Sequence, residues 1–250
     1  MQRRPNILKI IFAFAIVIFY CVTRFFIYLA IPIKSFPDWF FLDAVMDAPR
    51  FIGFLFCLAV GYRYWGQKKL GFHAQGLIIA LIAGIFMCVL EVVTCSLYSL
   101  PFSVPTRTII LFYISSFFVG LFEEVLFRGV LLNALHDWKG NFCAVWLSSL
   151  IFMSYHIQAQ PLDSWPAVLF IGLLFAMLRI YQNVSLYWLI VIHGIHDSIF
   201  GFIARTGHSN FPEWASLKLV IWALSLLAYY GFVVRKEPGL LRPILKKRMQ

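Results

Sequence analysis

A chain of 250 residues that is 62% hydrophobic and 13% charged carries more apolar surface than a soluble fold of its size can bury, so its composition excludes an ordinary soluble domain and points to a membrane protein. The net charge of +10 does not indicate a nucleic-acid partner. Lys and Arg gather at the N-terminus, in one short loop and in the C-terminal tail, a pattern of topology signals and of anionic-lipid contact.

Taken in order, the apolar runs predict eight spans, at about 7–33, 41–64, 74–100, 108–135, 141–157, 165–181, 184–205 and 215–234. The first is too long for a signal peptide and lacks a small-residue cleavage site, so it reads as a retained span. Breaks are expected at Lys34 to Asp38, Gly66 to Lys69, Pro101 to Pro105, His136 to Gly140, Gln160-Pro161, Gln182-Asn183 and Gly207 to Pro212. Five cysteines, Cys21, Cys57, Cys88, Cys95 and Cys143, all fall in apolar runs, with an odd count and no metal-type spacing. They read as core or lipid-facing residues without a disulfide framework.

Eight spans put both termini on one side. One face then collects Arg3, Arg4, Lys9, Arg63, Lys68, Lys69, Lys139, Arg179, Arg235, Lys236, Arg242, Lys246, Lys247 and Arg248, against Lys34, Arg107, Arg205 and Lys218 on the other. The positive-inside rule makes the richer face cytoplasmic. The expected fold is therefore all-α: a polytopic transmembrane bundle, one domain over 1–250, integral to the cell (inner) membrane with both termini in the cytoplasm. The tail 235–250 mixes Leu240, Leu241, Ile244 and Leu245 with six bases; it fits an interfacial segment on anionic lipid and a disordered basic tail equally well.

Within the fourth run, Glu123-Glu124-Val125-Leu126-Phe127-Arg128-Gly129 places two carboxylates and a guanidinium in otherwise apolar sequence. Ionisable groups inside a span are costly and face the bundle interior. On a helix Glu124 and Arg128 are i,i+4 partners, while Glu123 is turned about 100° away. The pattern suggests one structural carboxylate and one left for chemistry; the plainer alternative is a buried ion pair with a spare acid.

Three of the six histidines, His156, His193 and His196, also lie within spans. Phe152 stands one turn before His156, and His193 shares a helix face with Asp197. Measured from the cytoplasmic helix ends at about 1.5 Å per residue, Glu123 lies about 20 Å deep, His156 about 22 Å, and His193 and Asp197 about 15 and 21 Å. One shared polar layer is expected. Glu, His, His and Asp around a cavity suit water activation: Glu123 as general base, His156 holding the water, and His193 with Asp197 stabilising an oxyanion. By the same depth argument Arg24 and Glu91, each about 26 Å in, are expected to form an interhelical ion pair. Asp43, Asp47 and Arg50, at the outer end of the second span, read as interface-level charges with i,i+3 pairing.

Other hydrolytic chemistries fit poorly. The chain has no His-Glu-x-x-His, no Gly-x-Ser-x-Gly elbow and no Gly-rich phosphate loop. No cofactor is expected. A zinc ion on His156, His193 and Glu123 stays open, since two His and a carboxylate form a known ligand set.

The ordered trio Glu-Glu-x-x-x-Arg (Glu123, Glu124, Arg128), Phe-x-x-x-His (Phe152, His156) and His-x-x-x-Asp (His193, Asp197) resembles the CAAX protease and bacteriocin-processing (CPBP, or Abi) family of glutamic-type intramembrane endopeptidases, which includes the type II CAAX prenyl proteases. The resemblance covers a catalytic core of about 108–205. It implies that Glu123, assisted by His156, activates water, that Glu124 pairs with Arg128, and that His193 and Asp197 form the oxyanion side; His196, outside the motifs, is a candidate supporting residue. The family often carries Asn at the last position. An ionised Asp cannot donate to an oxyanion, so Asp197 is either protonated or orients His193 or His196.

The expected activity is hydrolysis of a peptide bond in a membrane-associated protein or peptide, with or without a lipid modification. A proton-coupled transporter or channel would use the same buried groups, though such folds are usually built from repeats and none is visible here. A catalytically inactive membrane scaffold is the third alternative.

Overall fold

The computed structural model describes residues 7–31, 36–97, 106–156 and 165–206, together with 220, 221, 223, 224, 227, 230 and 231. Among them all regular structure is helical: α1 (Ile7–Ala30), α2 (Phe36–Leu70), α3 (Leu77–Leu97), α4 (Thr106–Glu123), a π-helical segment (Glu124–Leu131), α5 (Leu132–His156), α6 (Trp165–Tyr181) and α7 (Leu186–Thr206). The described positions between 220 and 231 are helical as well. The tail 235–250 and the expected breaks at Pro101 to Pro105, Gln160-Pro161 and Gly207 to Pro212 lie outside the described residues.

Two expected loops are smaller than the sequence suggested. α2 begins at Phe36 with Pro37 in its first turn, where the missing N–H has no partner to lose. The His136 to Gly140 break shrinks to one glycine: the chain stays helical up to Gly140, whose φ of 80° and ψ of −175° turn it. Gly66 does the same in α2 at φ 71° and ψ 168°. Both conformations are ones that L side chains avoid.

Ile7–Ile27, Val45–Leu70 and Ile110–His156 are long and apolar enough to cross a membrane, and Leu77–Val93 and Trp165–Tyr181 are shorter apolar helices. The 47 residues of Ile110–His156 would measure about 70 Å as one rod, roughly twice a hydrocarbon core. The Gly140 corner divides them into two arms.

The distribution of polarity is inverted relative to a soluble protein. Phe19 is 70% exposed and Ile78 73% exposed, with Ile18, Phe26, Ile82 and Ile85 also outward-facing, while Glu91, Glu123, Glu124, Arg128, His193 and His196 are buried. Lipid is the solvent that favours this arrangement. The π segment lies at the centre, with every residue buried and contacts to α1, α2, α4, α5, α6 and α7. α7 packs on α4 and α3, α5 on α6, and α2 on α4. At one end of the bundle the α2–α3 and α6–α7 loops are tied together. Leu186 N–H donates to Gly71 O (2.9 Å), Ser185 N–H to Gln75 O (3.1 Å), and Asn183 to the Gln75 side chain.

Candidate active site

Glu123 ends α4 and Glu124 opens the π segment, so the two carboxylates leave the helix in different directions. Arg128 Nη1 lies 3.1 Å from Glu124 Oε1, the pair expected from i,i+4 spacing. The approach is an ion pair rather than a hydrogen bond, since neither Nη1 nor Nη2 finds an aligned acceptor among the described residues. Phe152 and Phe175 cover the guanidinium at 4.2 and 5.4 Å from their ring centres, which suits a weakly hydrated cation.

Glu124 has a second partner that the sequence did not suggest. His193 Nδ1 stands 2.6 Å from Glu124 Oε1, so His193 is held from behind and presents Nε2 to the centre. That Nε2 lies 3.3 Å from Asp197 Oδ2 and 3.8 Å from Glu123 Oε2. On the other side of Glu123 Oε2, His156 Nε2 lies 3.7 Å away. His156 Nδ1 is 2.8 Å from the Phe152 carbonyl. A carbonyl can only accept, so Nδ1 carries the proton and the Nε2 of a neutral ring faces Glu123 as an acceptor. Glu123 Oε2 is buried with no hydrogen-bond partner among the described residues. Its gaps to the two imidazoles are longer than a direct hydrogen bond.

Glu123, His156, His193 and Asp197 therefore converge, with Glu124, Arg128 and Phe152 around them. Phe152 packs against His156 with ring centres 4.5 Å apart and against His193 at 6.4 Å. His196 sits one step further out, its Nδ1 3.4 Å from Asp197 Oδ1. Asp197 thus faces an imidazole with each oxygen.

Several neighbours carried no local signal. Tyr155 stands edge-on to His156 at 4.9 Å and packs on Tyr20 with ring centres 5.4 Å apart; the Tyr20 hydroxyl accepts from Arg50 Nε at 3.1 Å. Arg50 also pairs with Asp47 at 2.8 Å, as i,i+3 spacing predicted, and its side chain is buried. Arg24 lies over the Tyr155 ring at 5.7 Å, while Glu91 meets His196 Nε2 at 3.3 Å. Phe175, against both Arg128 and His193, comes from a helix whose sequence is plainly apolar. Among the described residues no three His, Cys, Asp or Glu side chains are grouped as metal ligands, so no step below is routed through zinc.

Fold and site together define a helical membrane protein with an acid–imidazole centre enclosed by its bundle. Residues 105–199 match the family model described as Type II CAAX prenyl endopeptidase Rce1-like, so this segment is similar to that family. The segment contains both Glu123 and Asp197. No curated protein and no solved structure matches the chain.

Proposed function

We propose that the chain is a glutamic-type intramembrane endopeptidase, a single transmembrane domain of eight crossings. Its substrate is a membrane-associated protein or peptide, and the family description favours a prenylated C-terminal tail. The observation that carries the reading is the position of Glu123 Oε2, a buried acceptor 3.7 and 3.8 Å from two imidazole Nε2 atoms.

A water bridging Glu123 and His156 gives one proton to Glu123 as its oxygen adds to the scissile carbonyl carbon. Glu123 then returns the proton to the leaving nitrogen as the carbon–nitrogen bond breaks. His193, anchored through Nδ1 on Glu124, turns Nε2 toward the developing oxyanion, and Asp197 fixes its angle. No metal is required, so a chelator should leave the rate unchanged.

The test is E123Q in the full-length protein, assayed in detergent with a quenched farnesylated peptide ending in a CAAX tetrapeptide. Cleavage should be abolished while the thermal unfolding temperature stays close to wild type. Retained cleavage rejects the mechanism, and loss of folding reassigns Glu123 to structure.

A further inference from the structure

Beyond the centre, a second acid–imidazole pair stands behind Asp197. Glu91 lies in α3, outside the matched segment, and its side chain is completely buried. Its Oε1 is 3.3 Å from His196 Nε2. His196 Nδ1 is 3.4 Å from Asp197 Oδ1, and Asp197 Oδ2 is 3.3 Å from His193 Nε2. His193 closes on Glu124 at 2.6 Å, which is paired with Arg128. The chain of contacts runs Glu91, His196, Asp197, His193, Glu124, Arg128, alternating acid and base across α3, α7 and the π segment.

This alternation matters because Asp197 stands beside Glu123. Glu123 Oε2 and Asp197 Oδ2 both approach His193 Nε2, at 3.8 and 3.3 Å. Two carboxylates competing for one N–H disorder the centre unless one is held elsewhere. An amide at position 197 would not pose this problem, because it is neutral. A carboxylate there needs a second donor on its far oxygen, and His196 supplies it. His196 in turn needs its orientation fixed, and the Glu91 carboxylate at Nε2 does this, as an acid behind an imidazole does in other hydrolases.

We propose that Glu91 and His196 are positioning residues for the reaction: they hold Asp197 by its outer oxygen, so that it orients His193 without drawing Nε2 away from Glu123. The proposal rests on the hydrolytic reading above for its rate readout, and it has a second readout that does not. Neither residue touches the reacting atoms, so their loss acts on turnover and not on substrate binding.

The experiment uses the full-length protein in detergent with the same farnesylated quenched peptide. E91Q and H196Q should each lower kcat about tenfold or more per folded enzyme, with KM within about twofold of wild type. Unchanged kcat, or a change in KM alone, overturns the proposal. The second readout is a thermal-unfolding cycle of E91Q, D197N and the double variant. Glu91 and Asp197 are joined through His196, so the Tm losses should be non-additive, the double variant losing less than the sum. Additive losses overturn the proposal, because a Glu91 that merely packs α3 against α7 would not sense position 197. If E91Q is not recovered folded, E91D keeps the charge, shortens the reach by one methylene and takes its place in both measurements. A wild type that fails to cleave the peptide counts against the proposed function, while the unfolding cycle still decides the role of Glu91.

Discussion

His193 shows how far residue types and spacing carry and where they stop. Spacing put Asp197 on its face of α7, and the structure has that contact at 3.3 Å. It could not show that the other ring nitrogen meets Glu124 at 2.6 Å, because that contact joins residues 69 apart in sequence and depends on how α4 and α7 cross. The i,i+4 pair Glu124–Arg128 was legible for the opposite reason: both partners lie on one stretch of helix. Asp137, like His193, has partners far away in sequence, and the sequence left it unread. At the corner between the fourth and fifth spans, outside both, it takes Lys69 Nζ at 2.7 Å, Trp65 Nε1 at 2.9 Å and Lys9 Nζ at 3.2 Å. Partial burial disfavours its charge, but the hydrogen bonds from Lys69, Trp65 and Lys9 and the Lys69 charge outweigh this, holding its carboxyl down at about 2. The unfolded value is about 3.9. A depressed carboxyl contributes stability that is fully present above the unfolded value and lost as pH falls toward the folded one. D137N should therefore lower the stability at neutral pH by up to about 1 kcal/mol, given its solvent exposure. The gap to wild type should close between about pH 4 and pH 2. Thermal melts of both proteins across that window are the measurement; a gap that persists at pH 2 would mean that Asp137 acts by shape and not by charge.

The element that matters most, the π segment Glu124–Leu131, has no signature in the sequence. Over eight residues an apolar run reads the same at 3.6 or at a wider period, and packing from six surrounding helices selects the wider turn. The existence and type of the long helices were legible because their apolar runs are long, and so were breaks at Gly66 to Lys69 and His136 to Gly140; that each narrows to one glycine was not, since it follows from a single backbone conformation. A second element-level feature is the closeness of α4 and α7. A Cβ on Gly120 would come within 3.0 Å of the Ile190 carbonyl oxygen, 3.2 Å of Gly194 N and 3.4 Å of His193 Cβ. The first two are backbone atoms, which cannot swing aside as a side-chain tip does. G120A must therefore part the two helices that carry Glu123 and His193. Overpacking of this kind costs about 1–3 kcal/mol, and a shift of a fraction of an ångström at the centre should lower kcat by up to about 100-fold. G129A serves as the contrast, since its Cβ would meet the tips of Leu186 and Leu70 at 3.1 Å, which can move. Rates near wild type for G120A would show that the approach of α4 to α7 does not set the geometry of the site.

At the scale of the whole molecule, charge distribution predicted which helix ends share a face, and side-chain contacts now bear on the same question. Lys9 at the start of α1 and Lys69 at the end of α2 both reach Asp137, beside the Gly140 corner that joins the fourth run to the fifth. Arg179 at the end of α6 donates to the Lys69 carbonyl at 3.0 Å. The start of α7 pairs with the loop before α3 through Ser185 and Gln75. Seven helices thus alternate in direction, with the start of α1, the end of α2, the start of α3, the Gly140 corner, the end of α6 and the start of α7 gathered at one end. These ends carry Lys9, Lys68, Lys69, Lys139 and Arg179, which the positive-inside rule assigns to the cytoplasm. If α7 finishes at the far end of the bundle, the run 215–234, whose described positions between 220 and 231 are helical, has to supply the return crossing that an eight-span arrangement requires. A reporter enzyme fused after Gln250 should then register as cytoplasmic, as should one fused in the loop before α3. A second fusion after Gly207, beyond the end of α7, should register on the far side. If the Gln250 and Gly207 fusions report the same compartment, the segment 215–234 does not cross, the basic tail lies away from the anionic cytoplasmic leaflet, and the eight-span arrangement fails even though the site within the first seven helices stands.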